Sequence, residues 1–244
     1  MLRAVCFDFG DTLVSTRLDW GRIHPAMLDG LQAALEPHLP QVDYRRLRRD
    51  FLFLRRMGKI RAEQTLVEAP ATDSLARALV LQHVGPVPAA VLQQGVDGFF
   101  APEEAEYSLV AGIPEALARL RVMGVKLAVI SNATCGALIR RALERRMLLP
   151  FLAEVVVSAE HGRCKPEPSI FRSALSRLDV APGQAAMVGD RLPTDIAGAR
   201  AAGMRAVLVD FLGDGGHVPP NAIRPDAVVR SPEEMLRVLK AWMA

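Results

Sequence analysis

From residue 111 onward, short apolar runs rich in β-branched residues alternate with stretches of helical periodicity, which leaves the chain very few architectures to choose from. Residues 126–130, 154–157, 185–188, 205–209 and 227–229 read as strands, and 114–121, 137–146, 169–178, 195–202 and 233–242 as helices. Strand and helix in strict turn imply parallel β-α-β units and a sheet covered on both faces. The predicted class is therefore α/β, with a Rossmann-like parallel sheet as its core. Residues 3–7 belong to that sheet by type, although a long insert separates them from the rest.

The insert, from about residue 14 to 106, reads as helices over 22–35, 44–61, 72–83 and 89–99, without strand-like runs. Pro37, Pro40, Pro70, Pro86, Pro88 and Pro102 are expected at its helix ends, because proline lacks a donor and clashes inside a helix. The expected organisation is an α/β core from residues 1–14 and 107–244 and a helical cap domain from 15–106. The glycine- and proline-rich stretch 213–221 reads as a plain connector.

Charge sets few limits. With 30 basic and 27 acidic residues, the excess of +3 is too slight to argue for a nucleic-acid partner. Cys6, Cys135 and Cys164 are odd in number and far apart, which suits a reducing cytoplasm better than a disulfide framework. The N-terminal apolar stretch is cut short by Asp8, and no run reaches the roughly 18 apolar residues of a membrane span.

Ligands of an open parallel sheet bind beyond the carboxyl ends of its strands. Four polar sites occupy such places. The first strand runs into Asp8-Phe9-Gly10-Asp11-Thr12, the second core strand into Ser131-Asn132, Lys165 precedes Pro166, and Asp190 follows Gly189 with Asp195 five residues on. Singly, each reads as a turn former or helix cap. Together they bring carboxylates, a hydroxyl and a cation to one sheet edge. Close carboxylates repel unless a cation lies between them, and a hard divalent ion takes oxygen ligands.

The order Asp8, Ser131, Lys165, Asp190 resembles that of the haloacid dehalogenase-like hydrolases. Residues 160–171 and 189–199 look like that family's third and fourth motifs, and the helical insert resembles its cap. The resemblance implies a phosphatase using Mg²⁺ and a small phosphorylated substrate. In it Asp8 is the nucleophile, Lys165 the charge-balancing cation, and Asp8, Gly10 (through its carbonyl), Asp190 and Asp195 the metal set. Ser131, Asn132, Lys165 and Thr12 make up the phosphate-binding set.

One position departs from the family pattern. Gly10 stands where most family phosphatases carry the acid that protonates the leaving oxygen. Asp11 is the available substitute, yet adjacent side chains of an extended backbone point opposite ways, so it is equally placed to cap a turn. The resemblance also keeps open a metal-free dehalogenase, a phosphonate-cleaving hydrolase, and a weakly catalytic relative that only binds phosphate.

Three other features are weighed against this frame. The basic run Arg45, Arg46, Arg48, Arg49, Arg55, Arg56, Lys59 and Arg61 reads as a solvated helix face, and any member turned toward the core is placed to clasp an anionic substrate group. A Schiff-base role for Lys59, the only lysine of the insert, requires burial. The five histidines lack metal-ligand spacing, and no glycine-rich dinucleotide loop follows the first strand.

Overall fold

A computed structural model describes residues 1–213 and 223–243 of the chain. The N-terminal strand β1 (Ala4–Phe7) leads through the short β2 (Val14–Ser15) into four helices, α1 (Trp20–Leu35), α2 (Tyr44–Thr65), α3 (Ala71–Val80) and α4 (Ala89–Glu106). The chain returns through β3 (Ser108–Leu109), antiparallel to β2, so the two crossings of the neck are tied together. Then follow α5 (Ile113–Val122), β4 (Lys126–Ser131), α6 (Gly136–Arg145), β5 (Glu154–Val157), α7 (Ser158–His161) and α8 (Pro168–Leu178). The remainder comprises β6 (Ala185–Gly189), a π-helical turn (Leu192–Ile196) running into α9 (Ala197–Ala201), β7 (Arg205–Val209), β8 (Ala227–Val229) and α10 (Pro232–Ala241).

Six of the strands form one parallel sheet in the order β5-β4-β1-β6-β7-β8. Side chains alternate across its faces, as a two-residue period requires. Val5 and Phe7 of β1 join the core under α5, α6 and α10. Ala4 and Cys6 join the opposite core under α8 and α9, through Phe171, Leu175 and Ala199. Burial on both faces explains why these strands read as continuous apolar runs. It also puts β1 between β4 and β6, so three strand ends deliver their first polar residues to one place.

In the helical insert, α1 and α4 pack with backbones touching. A Cβ on Gly30 would lie 2.2 Å from the carbonyl oxygen of Gly98, so only glycine fits there. Pro37 and Pro40 follow α1, and Pro70 and Pro88 cap α3 and α4, in keeping with their expected places. Pro102 is a correction: it lies inside α4, which continues to Glu106 instead of stopping at Phe99. Tertiary bonds hold that last stretch. The buried Glu104 carboxylate pairs with Arg141 Nε at 2.9 Å and Arg145 Nε at 3.3 Å, and Asp97 pairs with Arg141 at 2.8 Å. These ion pairs fasten α4 to α6.

The insert also touches the core between α2 and α3. Cys164 N donates to Leu66 O and Glu68 N to Gly162 O, and Val67 forms a β-bridge with Arg163. The expectation that the insert lacks strand-like runs is thus modified at this bridge and at β2, where the insert begins. Of the connector 213–221, all but Gly213 lies outside the described residues.

Candidate active site

Asp8 continues β1, its N–H donating to Val188 O of the neighbouring strand. The Lys165 ammonium donates to Asp8 Oδ1 at 2.6 Å and to Ile130 O at 2.8 Å, and it pairs with Asp195 Oδ1 at 2.7 Å. Three acceptors for three protons saturate it. Lys165 is 3% exposed and Asp195 not at all, so this ion pair lies wholly inside the protein. Burial works to lower the lysine pKa, but Asp195 and then Asp8 outweigh it and hold it above its ordinary value.

The loop carrying Lys165 is braced by Asn132. Its side chain accepts from Lys165 N at 2.7 Å and donates to Lys165 O at 3.0 Å, a reciprocal pair that fixes the lysine backbone against the end of β4. Glu68 of the insert braces the same region, accepting from Ser158 Oγ at 2.5 Å and from the Cys164 thiol at 3.3 Å. Nothing in the sequence pattern marks Glu68. Its importance comes from a long-range contact that only folding creates.

Asp190 completes the acidic group. Carboxylate oxygens of Asp8, Asp190 and Asp195 lie within 4.8 Å of one another. Burial first, then the charges of Asp8 and Asp195, push Asp190 up to about 7. Asp195 also rises, because its burial outweighs the favourable field of Lys165. Charge counting adds to the effect of burial, since three carboxylates face one ammonium. Asp190 Oδ1 is buried without a hydrogen-bond partner among the described residues, as a ligand oxygen waiting for a cation would be. A hard oxygen-only donor set of this charge fits a divalent ion such as magnesium. Gly189 makes room for it, because a Cβ there would come within 2.5 Å of the Asp195 carboxyl.

Asp8, Lys165, Asp190 and Asp195 are therefore brought together, and Ser131 is buried as the last residue of β4, the strand next to β1. Asp11 has φ 49°, and its Oδ1 accepts from Thr16 N at 2.8 Å and Thr16 Oγ1 at 3.0 Å, so this oxygen caps a turn, one of the two roles that its position next to Gly10 offered. Thr12 is fully buried, and its hydroxyl has no hydrogen-bond partner among the described residues. Gly10 bridges to Val14, and a Cβ at that position would meet Thr16 Cγ2 at 3.2 Å. Lys59 is exposed, which removes the burial that Schiff-base chemistry needs.

A parallel sheet with reactive groups beyond its carboxyl edge defines an α/β enzyme working at the strand ends. More narrowly, the chain belongs to the haloacid dehalogenase-like hydrolases, whose family pattern matches residues 2–203. It is 31% identical to a glyceraldehyde 3-phosphate phosphatase of Methanopyrus kandleri, with 98% of each chain covered. It is 39% identical over 134 residues to a ribulose-1,5-bisphosphate 5-phosphatase of Halopiger xanaduensis, and that match spans about half of the relative's length (55% of each chain). Its fold also matches a 2-haloacid dehalogenase of Pseudomonas syringae pv. Tomato, with a TM-score of 0.66, 25% identity, and 99% and 100% of the two chains covered. The same fold thus carries both phosphorus and carbon chemistry in its relatives.

Proposed function

We propose that the chain is a magnesium-dependent phosphatase of the cytoplasm that moves the phosphoryl group of a small phosphorylated metabolite onto Asp8 and then to water. The observation that carries this reading is the acidic cluster. Two buried carboxylates and a half-buried one, with Asp190 Oδ1 unpartnered among the described residues, call for a divalent cation, and a cation is what a carboxylate nucleophile needs when it approaches a phosphate dianion. No helix among the described residues is long and apolar enough to cross a membrane.

Asp8, Asp190 and Asp195, with the carbonyl of Gly10, would hold the ion, which supplies positive charge to the phosphoryl oxygens. The Asp8 oxygen that does not accept from Lys165 attacks phosphorus as the bond to the leaving oxygen breaks. Lys165 keeps the carboxylate aimed through its hydrogen bond to Oδ1, and Ser131 with the backbone N–H of Asn132 holds phosphoryl oxygens. Water then attacks the same phosphorus, releasing inorganic phosphate and restoring the Asp8 carboxylate.

Gly10 has no side chain to protonate the leaving oxygen, and the nearest substitute, Asp11, has its Oδ1 engaged by Thr16. A general acid is worth about 10² to 10⁴ in rate. Aryl and acyl phosphates, whose leaving groups need no proton, are therefore expected to turn over faster than alkyl phosphates by about 10²-fold or more. Hydrolysis rates across such a panel, with and without a chelator, test the reading. Equal rates for all leaving groups would remove the missing-acid account. Chelator-resistant turnover of a 2-haloacid would replace the phosphatase with a dehalogenase.

The cluster also predicts how metal and pH act on stability. Asp190 is raised from 3.8 to about 7 and Asp195 is raised with it, so the metal-free folded protein holds protons there that the unfolded chain has lost. That stabilisation is complete below the ordinary aspartate range and disappears as pH rises through about 7. Magnesium reverses the order, because it binds the ionised form. At a hundredfold excess over its Kd it adds about 2.7 kcal/mol. The rise in Tm on adding magnesium is expected to be clearly larger at about pH 8 than at about pH 5.5. Equal rises at the two pH values, read by calorimetry, would argue against these carboxylates as the ligands.

A further inference from the structure

Within the basic run of α2, Arg45, Arg46, Arg49, Arg56 and Arg61 face solvent, whereas Arg55 turns inward. Its guanidinium lies 4.7 Å from the ring centre of Phe99, 4.9 Å from Phe100 and 5.7 Å from Phe51. Aromatic faces hold a guanidinium by cation–π attraction and leave its N–H edge for hydrogen bonds. That edge is nearly unused. One Nη donates to Thr134 Oγ1 at 3.5 Å, the outer limit of such a bond, and the buried Nε has no partner among the described residues.

The acidic group whose field reaches Arg55 most strongly is Glu103, which is already engaged by the Tyr107 hydroxyl. Burial raises the Glu103 pKa, against the opposing effects of the Tyr107 hydroxyl and of Arg55 itself. Burial also pulls the Arg55 pKa down, yet a guanidinium stays charged under any ordinary condition. A buried cation short of acceptors costs free energy until an anion meets it.

The position of this cation matters as much as its bonding. Thr134 belongs to the loop that follows Ser131 and Asn132 at the end of β4. Tyr107, beside Glu103, packs edge-on against Phe9 with ring centres 5.6 Å apart, and Phe9 follows Asp8 in the chain. Arg55 thus stands at the seam of insert and core, its guanidinium reaching the loop assigned to the phosphoryl oxygens.

We propose that Arg55 holds a second anionic group of the substrate, a carboxylate or a second phosphate carried on the leaving-group side. The inference rests on the phosphatase reading and adds a substrate class to it: phosphoesters with a charged leaving group. The planar N–H fork matches two oxygens of either anion. Thr134, Glu103 and the three rings hold it in place for them.

Three phosphoesters of similar size test this: glycerol 3-phosphate, whose leaving group is neutral; 3-phosphoglycerate, which carries a carboxylate; and propane-1,3-diol bisphosphate, which carries a second phosphate. Wild type is expected to prefer one charged probe over glycerol 3-phosphate by about tenfold or more in kcat/KM. In Arg55→Gln that preference collapses through a KM rise of about 10- to 100-fold for the charged probe, with kcat moving far less. Arg55→Lys, which keeps the charge and loses the fork, falls between the two and serves the same comparison if Arg55→Gln does not fold. The probe that responds tells carboxylate from phosphate. A KM rise equal for all three, or a fall in Tm without change in preference, makes Arg55 a packing residue and overturns the inference. No turnover of any probe by wild type would instead defeat the phosphatase reading, and this inference with it.

Discussion

Asp8→Asn is expected to lower kcat by about four to six orders of magnitude while leaving a folded protein. The amide is nearly isosteric, and its oxygen still accepts from the Lys165 ammonium that now sits 2.6 Å from Asp8 Oδ1. What it lacks is the electron pair of a carboxylate nucleophile. Removing one of three crowded negative charges also eases the repulsion that raises Asp190, so Tm is not expected to fall. Steady-state turnover measured beside thermal unfolding checks both halves. Turnover within about tenfold of wild type would deny Asp8 its role.

Lys165→Met has the second large effect, and it falls on stability as well as rate. The ammonium bonds two carboxylates and the Ile130 carbonyl in a site closed to solvent. Methionine has a similar stem and no charge, so those acceptors stay buried without a partner. Breaking a buried pair from one side costs about 3–5 kcal/mol. The loss has a pH signature. With the cation gone, Asp195 loses the charge that opposes its rise and ionises only at higher pH, so the variant's folded state binds more protons than its unfolded chain and weakens as pH rises. Denaturant unfolding of the metal-free variant is expected to show the deficit deepening from about pH 5 to about pH 8. A deficit below about 1 kcal/mol with no pH trend would mean that the ion pair stabilises little.

Much of this protein was legible before folding was considered. The strands were visible because burial on both sheet faces forces continuous apolar runs, and the observed β4, β6 and β7 lie within a residue of their expected positions. Asp8, Lys165 and Asp190 stood out because each follows or flanks such a run, and the sheet order brings their ends together. Legibility failed where tertiary contacts override local rules. Pro102 marked a helix end by propensity, but the Glu104 ion pairs to α6 carry α4 past it. At Asp11 the left-handed backbone lets Oδ1 cap the turn to Thr16, and Thr12 is fully enclosed, neither of which local spacing alone determines. Arg55 and Glu68 could be recognised only from partners far away in sequence, Thr134 for one and Ser158 with Cys164 for the other.

The Asp195–Lys165 pair shows the same limit in another form. Asp195 was expected to serve the metal, and it does lie with Asp8 and Asp190, yet it is also a counter-ion of the lysine. One fully buried carboxylate thus couples the ammonium to the metal-ligand group. Either cation, if removed, is expected to change how tightly the other side is held.

The central claim is that phosphorus becomes bonded to Asp8 during turnover. Acid-quenching the enzyme within the first turnover of an aryl phosphate, then mapping its peptides by mass spectrometry, tests this directly. The account predicts an acid-stable, base-labile phosphoryl group on the peptide carrying Asp8, absent from Asp8→Asn. A phosphoryl group on another residue, or full product formation with none on Asp8 at any quench time, would contradict it.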